Sequence, residues 1–97
     1  MPTVLRTDEF SRWLKQLRDI RARAKIVARI DRLELGNPGD IAAVGEGVSE
    51  LRIHHGPGYR VYIFQRGEQV VILLCGGDKG SQEADIARAK KLAEQYR

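Results

Sequence analysis

A Gly-Pro-Gly turn at residues 56–58, with alternating apolar and polar residues on both sides, most constrains how this chain can fold. The pattern is typical of a β-hairpin, in which residues two apart along a strand lie on one face. The apolar face comprises Leu51, Ile53, Val61 and Ile63. The opposite face comprises Glu50, Arg52, His54, Arg60 and Tyr62. One face of the hairpin is therefore predicted to be core, while the other concentrates cationic and aromatic groups.

Length and charge set the first limits on function. At 97 residues the chain is predicted to form one domain, residues 1–97. Its net charge of +4 favours a polyanionic partner such as nucleic acid, or an acidic protein, although it would also keep a small protein in solution. A single cysteine, Cys75, excludes an internal disulfide, and the lack of a charged-then-apolar leader predicts a cytoplasmic protein. No apolar run approaches the ~20 residues of a membrane span, so we expect no membrane partner.

The first half of the chain is predicted to form a short strand and two helices. Thr3–Leu5 has the composition of a strand, and Thr7 is placed to cap a helix that ends near Arg18 or Asp19. A second helix is expected over about Ile20–Leu35, followed by a Gly-Asn-Pro-Gly stop. The residues assigned to its buried face are Ile20, Ala24, Val27, Ile30 and Leu33, with Ile26 widening it.

The second half is predicted to form three strands and a last helix. A loop of small residues is expected at Gly39–Gly47. Three strands are expected after it, at Val48–Ile53, Tyr59–Arg66 and Gln69–Cys75. The third strand is apolar on both faces, which predicts that it is covered on both sides or central. Ser81 then caps a helix that ends at about Tyr96. The order β-α-α-β-β-β-α predicts an α+β domain with helices on one face of a twisted antiparallel sheet.

The familiar motifs of nucleotide binding, metal binding and nucleophilic catalysis are absent from the sequence. His54 and His55 are adjacent and face opposite sides of a strand, so they cannot bind one metal together. Cys75 follows a buried strand and is interpreted as structural. The polar residues that remain are Arg52, His54, Arg60, Tyr62, Lys79, Gln82 and Asp85. Guanidinium groups bind phosphoryl oxygens and histidine transfers protons near pH 7, so this set suits RNA cleavage by the RNA's own 2′-hydroxyl.

Each of these features also has a purely structural interpretation. The arginine and histidine face can be solvated, or paired with Glu50. The glycines around Pro57 can serve only the turn, and Asp85 can simply complement the dipole of the last helix. Gln82 can be a surface residue, and the arginine-rich second helix can be a solvated face. The residue pattern alone leaves the structural and the RNA-directed interpretations open.

Several segments together carry a resemblance to a known family. They are ELR at residues 50–52, GPGYRVY at 56–62, GGDKGSQ at 76–82, and DI at 85–86 with Ala89. The combination resembles the RelE/ParE superfamily of type II toxins, and more narrowly its HigB-like branch of addiction module killer proteins. The resemblance covers nearly the whole chain and implies a RelE-like fold. It also implies a toxin that enters the ribosomal A site and cuts mRNA by attack of the 2′-hydroxyl on the neighbouring phosphate, without a metal or other cofactor.

The resemblance also assigns roles by position. The residues that it implies for catalysis are Arg60, Arg52, His54 and Lys79. Arg60 falls where the superfamily keeps an arginine after the turn, and it would stabilise the scissile phosphate. The residues implied for RNA binding or proton transfer are Tyr59, Tyr62, Gln82 and Asp85. The chain departs from RelE at Asp85, where RelE has a catalytic tyrosine, so His54, Tyr62 or Asp85 has to take over that role.

The superfamily leaves two other functions open. A ParE-like toxin poisons DNA gyrase without doing any chemistry, and a third possibility is a binding module that regulates its own operon together with its antitoxin. The arginine and histidine face favours the nuclease, because a gyrase binder does not need cations converging on a phosphate-sized site. The implied partners are a cognate antitoxin, expected to be a small helix-turn-helix protein with an acidic segment, together with the ribosome and mRNA.

Overall fold

A mixed α+β architecture is confirmed by the computed structural model, which describes all residues, 1–97. The strands are β1 (Thr3–Arg6), β2 (Ile41–Gly45), β3 (Val48–Ile53), β4 (Tyr59–Arg66) and β5 (Val70–Gly77). The helices are α1 (Asp8–Gln16), α2 (Ile20–Glu34) and α3 (Gln82–Ala93), with 3-10 turns at Lys79–Ser81 and Glu94–Tyr96. The predicted limits of β3 and β4 are confirmed, while β5 begins one residue later and ends two residues later than the apolar run indicates. None of the α-helices combines the length and apolar character that a membrane crossing requires.

The sheet has one strand more than the sequence predicts, in the order β1-β5-β4-β3-β2. The segment Gly39–Gly47 is not a loop, because β2 lies inside it and pairs antiparallel with β3 through an irregularity between Ala43 and Gly45. The expectation of a purely antiparallel sheet is also wrong, since β1 pairs parallel with β5 from Thr3 opposite Val70 onwards. The β3–β4 and β4–β5 pairs are antiparallel as predicted.

Helices cover both faces of this sheet, which corrects the prediction of helices on one face. The core under α1 and α2 includes Phe10, Ile26, Ile30, Leu51, Val61 and Leu73. The core under α3 includes Tyr62, Phe64, Leu74, Ala89 and Ala93. Strand β5 contributes Leu73 to one core and Leu74 to the other, which confirms that it is covered on both sides, and it lies between β1 and β4 in the sheet. The polar face of the hairpin therefore lies partly beneath α3 instead of facing solvent.

Thr7 joins α1 to the sheet and confirms the predicted N-cap. Its Oγ1 accepts a hydrogen bond from the backbone N–H of Phe10 at 3.0 Å and donates one to the carbonyl of Leu74 at 2.6 Å. Helix α1 ends at Gln16, earlier than expected, because Leu17 already has an extended backbone. The short connection to α2 turns the two helices into a hairpin on one face of the sheet.

The buried face of α2 is only partly the predicted one. Ile26, Ile30 and Leu33 are buried as expected, and Ala22 joins them. Ile20 is 72% exposed, Val27 is 38% exposed and Ala24 is exposed as well, so three of the apolar residues assigned to the core by spacing lie at its margin or outside it. A small alanine at the buried position lets the helix approach the sheet closely, whereas the periodicity alone favours the larger side chains.

Candidate functional site

An open cavity of about 520 Å³ lies where the β3–β4 hairpin meets the segment after β5. Its lining residues, which define the cationic pocket, are Arg52, Ile53, His54, His55, Gly56, Pro57, Gly58, Tyr59, Arg60 and Lys79. Five of the eight predicted site residues are among them, and no carboxylate lines the cavity. The pocket therefore presents cations and hydrogen-bond donors to an incoming anion.

Arg52 and Arg60 are the central pair of cations in the cationic pocket. They are partners in the antiparallel register of β3 and β4, so their side chains leave the sheet on the same face. Like charges directly opposite each other destabilise a strand pair. The Glu50 carboxylate offsets this repulsion, since its Oε1 lies 3.2 Å from Arg52 Nε and its Oε2 lies 3.5 Å from Arg60 Nε. The first contact is a hydrogen bond, whereas the second is an ion pair without hydrogen-bond geometry.

Glu50 is the residue that ties the site to the rest of the fold. Its side chain is only 2% exposed, and Gln82, the first residue of α3, donates hydrogen bonds to both carboxylate oxygens at 3.2 and 3.1 Å. One buried carboxylate thus holds groups from β3, β4 and α3. In the sequence, Glu50 is a lone acid on a cationic strand face, and this pattern predicts only that it neutralises its neighbours.

Arg60 is held more firmly than Arg52. Its Nη1 donates to the carbonyl of Gly58 at 2.9 Å, and its side chain is 14% exposed. The side chain of Arg52 is 41% exposed and approaches Asp40 only at 4.0 Å. Arg60 is consequently preorganised at the wall of the pocket, while Arg52 reaches further into solvent.

His54 lies at the outer rim of the cationic pocket with 78% of its side chain exposed. Its Nε2 lies 2.5 Å from Oδ2 of Asp40, a residue just before β2 that the sequence interpretation did not select. The hydrogen bond from His54, together with the charge of Arg52, lowers the pKa of Asp40. In the tautomer that donates from Nε2, the Nδ1 atom of His54 is free to accept a proton.

His55 also lines the cationic pocket, but its ring binds a different carboxylate from that of His54. Its Nε2 lies 3.0 Å from Oδ2 of Asp19, whose Oδ1 accepts hydrogen bonds from the backbone N–H groups of Arg21 and Ala22. These bonds, first the one from Ala22 and then the one from His55, lower the pKa of Asp19. His55 therefore fastens the hairpin end to the start of α2.

Lys79 joins the cationic pocket from the 3-10 turn after β5. Its backbone N–H donates to the carbonyl of Pro57 at 3.3 Å, so the turn is bonded directly to the hairpin loop. Gly58 has φ +79° and lies between the two segments, because a Cβ there would be 3.4 Å from both Arg60 Nη1 and the Lys79 Cβ. The glycine allows the loop to close over these two cations.

Tyr59 forms an aromatic wall of the cationic pocket. Its ring packs edge-on against Trp13 of α1, with ring centroids 6.4 Å apart. Trp13 in turn lies over Gly76, where a Cβ would come within 2.3 Å of the indole. Sequence reasoning missed this support, since Trp13 reads simply as part of the apolar stripe of α1. An aromatic face held in this way can stack on a nucleobase.

Three of the predicted residues do not line the cationic pocket. Tyr62 is fully buried beneath α3, its hydroxyl has no hydrogen-bond partner, and burial next to Glu50 raises its pKa. Gln82 donates hydrogen bonds to Glu50 from the start of α3. The Ser81 hydroxyl donates a hydrogen bond to Asp85 at 2.5 Å and accepts none from the backbone N–H groups of α3, so the predicted side-chain cap is not formed.

Gly77 makes room for the Asp85 carboxylate. It pairs with Arg60 across β4 and β5, and a Cβ at this position would lie 1.8 Å from Asp85 Oδ2. Only glycine permits α3 to begin so close to the strand. The Gly-Gly pair at the end of β5 is therefore explained by two close approaches, the indole on one side and the carboxylate on the other.

Cys75 is buried, and burial raises the pKa of its thiol to about 12. The thiol is therefore protonated near neutral pH and is a poor nucleophile. Nowhere in the chain do three histidine, cysteine, aspartate or glutamate side chains come together as a set that could hold a metal ion.

Comparisons with known proteins identify relatives of the chain. The family model described as "Phage derived protein Gp49-like (DUF891)" matches residues 12–97, and this family is associated with toxin–antitoxin modules. An uncharacterized protein of Haemophilus influenzae is 55% identical over 86 residues, which cover 89% of this chain and 87% of the relative. No solved structure matches significantly. The matched range includes every residue of the cationic pocket.

Proposed function

This chain belongs to the phage-derived Gp49-like family, and from that membership we propose that it is the toxin of a type II toxin–antitoxin pair that cuts mRNA on the ribosome. The residues 1–97 would act as one RelE-like toxin domain of the HigB-like branch. The observation that carries the nuclease proposal is the pair Arg52 and Arg60, placed side by side on Glu50 at the wall of a pocket without carboxylates.

In the proposed reaction the RNA supplies its own nucleophile. The 2′-hydroxyl loses its proton to Nδ1 of His54, which Asp40 orients through Nε2, and its oxygen forms a bond to the adjacent phosphorus. The bond from phosphorus to the 5′-oxygen breaks, and the ammonium group of Lys79 donates a proton to that leaving oxygen. The products are a 2′,3′-cyclic phosphate and a 5′-hydroxyl.

Arg52 and Arg60 stabilise the negative charge that develops on the phosphoryl oxygens in the transition state. Guanidinium groups suit this role because they are always charged and offer paired donors to phosphate oxygens. Arg60 is the more important of the two, since its contacts with Gly58 and Glu50 fix it before the substrate binds. Tyr59 is proposed to stack on a base beside the cut.

The proposed partners are a cognate antitoxin, the ribosome and mRNA. Association of the family with toxin–antitoxin modules supports the antitoxin. The resemblance to type II toxins implies that the antitoxin is a small helix-turn-helix protein. The net charge of +4 on this chain favours an acidic segment in that partner. A reading frame of that kind beside the gene would support the pairing.

Expression without antitoxin tests the proposal. Cells producing the unaltered chain should stop growing, and primer extension should find cuts in ribosome-bound mRNA. Arg60→Ala should abolish both effects, whereas Arg66→Ala is the matched control, because Arg66 lies on the same strand but is exposed and outside the cationic pocket. Growth arrest with intact mRNA and broken DNA would instead identify a ParE-like gyrase poison. Absence of growth arrest would favour an operon-regulatory binding module.

A further inference from the structure

We propose that the basic face of α2 is a second RNA-backbone site, which binds the strand flanking the scissile phosphate. This inference rests on the proposed function and extends it from the cleavage site to the path of the substrate. It starts from a second cavity, of about 220 Å³, that adjoins the cationic pocket. The lining residues of this α2 cavity are Lys25, Ala28, Arg29, Arg32, Ile53 and His54.

The two cavities are neighbours that share two lining residues. Both are lined by Ile53 and His54, so His54 stands between the cationic pocket and the α2 cavity. An extended polyanion that places one phosphate between Arg52 and Arg60 and passes His54 is directed onto α2. A single RNA strand has a charge on every nucleotide and meets this requirement.

The cations of the α2 cavity form one stripe. Lys25, Arg29 and Arg32 are spaced at i, i+4 and i+7, so they lie on the same side of the helix. None of the chain's ion pairs involves any of them. The charge of Asp40 reaches Arg29 without forming an ion pair, while Lys25 and Arg32 have no carboxylate partner. The repulsion that remains between these cations is relieved when a polyanion binds.

Arg29 fixes the geometry of this stripe. Its guanidinium donates to three main-chain carbonyls, those of Arg52 at 2.5 Å, Pro38 at 2.9 Å and Asp40 at 2.9 Å. The helix is thereby bonded to the end of β3 and to the segment that carries Asp40. Arg29 is a positioning residue, while Lys25 and Arg32 are exposed and free to contact phosphates.

The cavity between α1 and α2 differs in a way that makes it unsuitable for the same ligand. It is larger, at about 690 Å³, but half of its ten lining residues are hydrophobic and Asp31 is among the others. It also has no residue in common with the cationic pocket. The cationic surface next to the cationic pocket therefore lies on one side of α2 only.

Salt-dependent RNA binding tests the inference. The double variant Lys25→Gln/Arg32→Gln is compared with Arg12→Gln/Lys91→Gln, which removes the same charge from exposed positions on the other two helices that line neither cavity. The probe is a single-stranded RNA of about twelve nucleotides with 2′-O-methyl groups, which prevent cleavage. Its affinity is measured by fluorescence anisotropy over a range of salt concentrations, with a dinucleotide as a second probe.

Loss of two phosphate contacts should make the slope of log affinity against log salt shallower by about 1.4, at about 0.7 for each contact on a single strand. We expect this change for the α2 double variant with the longer RNA, and no change for the dinucleotide or the control. Equal changes in both double variants would overturn the inference, since they would reflect net charge alone. Loss of antitoxin affinity with unchanged RNA binding would also overturn it, because the surface would then belong to the antitoxin.

Cleavage of ribosome-bound mRNA separates this inference from the proposed function. If the unaltered chain cuts mRNA and the α2 double variant matches the control in RNA binding, the α2 site is wrong and the nuclease proposal stands. If the unaltered chain neither cuts mRNA nor binds the RNA probe, both proposals fall. Reduced cutting by the α2 double variant, with the control unaffected, supports both.

Discussion

Gln82 donates hydrogen bonds to both carboxylate oxygens of Glu50, across the gap between the first turn of α3 and the centre of the sheet. This contact makes α3 a structural part of the cationic pocket although none of its residues lines the cavity. The position of the two arginines consequently depends on the buried Glu50 carboxylate. The position of that carboxylate depends in turn on α3, which comes later in the chain.

Glu50→Gln should destabilise the chain and impair the site together. The variant keeps the shape of the side chain but leaves Arg60 without a carboxylate partner and Arg52 with Asp40 alone, at 4.0 Å, while the two arginines stay directly opposite each other. Removing one partner of a buried ion pair costs about 3 kcal/mol, which urea unfolding should detect as a lower midpoint. Glu68→Gln, in the exposed turn between β4 and β5, is the control and should change little. An unchanged midpoint for Glu50→Gln would show that the carboxylate does not hold the arginines.

Arg60→Lys should leave the fold intact but lower the rate of mRNA cleavage by about 100-fold. A lysine retains the positive charge but cannot offer the paired donors of a guanidinium, so transition-state charge is less well stabilised. Cleavage should be measured in a purified translation system under single-turnover conditions. Arg66→Lys, on the same strand and away from the pocket, should cleave at the normal rate. A normal rate for Arg60→Lys would mean that charge alone is enough.

Gly77→Ala should be destabilising by about 1–3 kcal/mol, the usual range for overpacking. The added Cβ would lie 1.8 Å from Asp85 Oδ2 and 2.9 Å from Ser81 Oγ, so the start of α3 has to shift. The double variant Gly77→Ala/Asp85→Ala removes the obstructing carboxylate and should recover part of the loss. Thermal unfolding of the wild type, both single variants and the double variant gives the coupling. Strict additivity would contradict the close approach.

Lowering the pH should remove the stability that ionised Asp19 contributes to the folded chain. Because its pKa is lowered in the folded state, ionised Asp19 stabilises the fold above the unfolded pKa of about 4, and this contribution is lost as pH falls through the folded pKa. Asp19→Asn keeps an N-cap but has no charge. Urea unfolding should therefore find the wild type more stable than the variant at pH 6, and the difference should shrink as the pH falls below about 4. A difference that stays constant with pH would contradict this account.

Cys75 should resist alkylation while the chain is folded. Burial raises its pKa to about 12, so at pH 8 there is almost no thiolate to react with iodoacetamide. Labelling followed by mass spectrometry should be slow in buffer and fast in urea. Rapid labelling of the folded chain would show that β5 opens readily.

The hairpin was predictable because its information is local. Alternation on both sides of residues 56–58 defines β3 and β4 and places Arg52 and Arg60 on one face. Strand β5 has apolar residues on both faces, which indicates that both faces are covered. A layer of helices on each side of the sheet could have been predicted from this pattern. The apolar pattern of β5 therefore indicates the two helix layers, which the order of helices and strands along the chain does not.

The remainder depends on contacts between distant parts of the chain. Strand β2 has two alanines and a terminal glycine, so it lacks the β-branched alternation of a strand and becomes one by pairing with β3. Asp40 and Gln82 reach His54 and Glu50 only through packing, and spacing along the chain gives no sign of it. The outward position of Ile20 likewise follows from how α2 meets the sheet.

The parallel pairing of β1 with β5 determines when the chain can finish folding during its synthesis. Thr7 bonds to Leu74 across 67 residues of sequence, so the first strand has no sheet to join until β5 has been synthesised. Contacts of such long sequence separation form slowly, because the chain between them must be ordered first. During synthesis α1 and α2 therefore leave the ribosome before β5, the interior strand whose Val71 and Leu73 complete the core beneath them. The nascent chain remains incomplete, and its arginines remain unassembled, until translation of the protein is nearly finished.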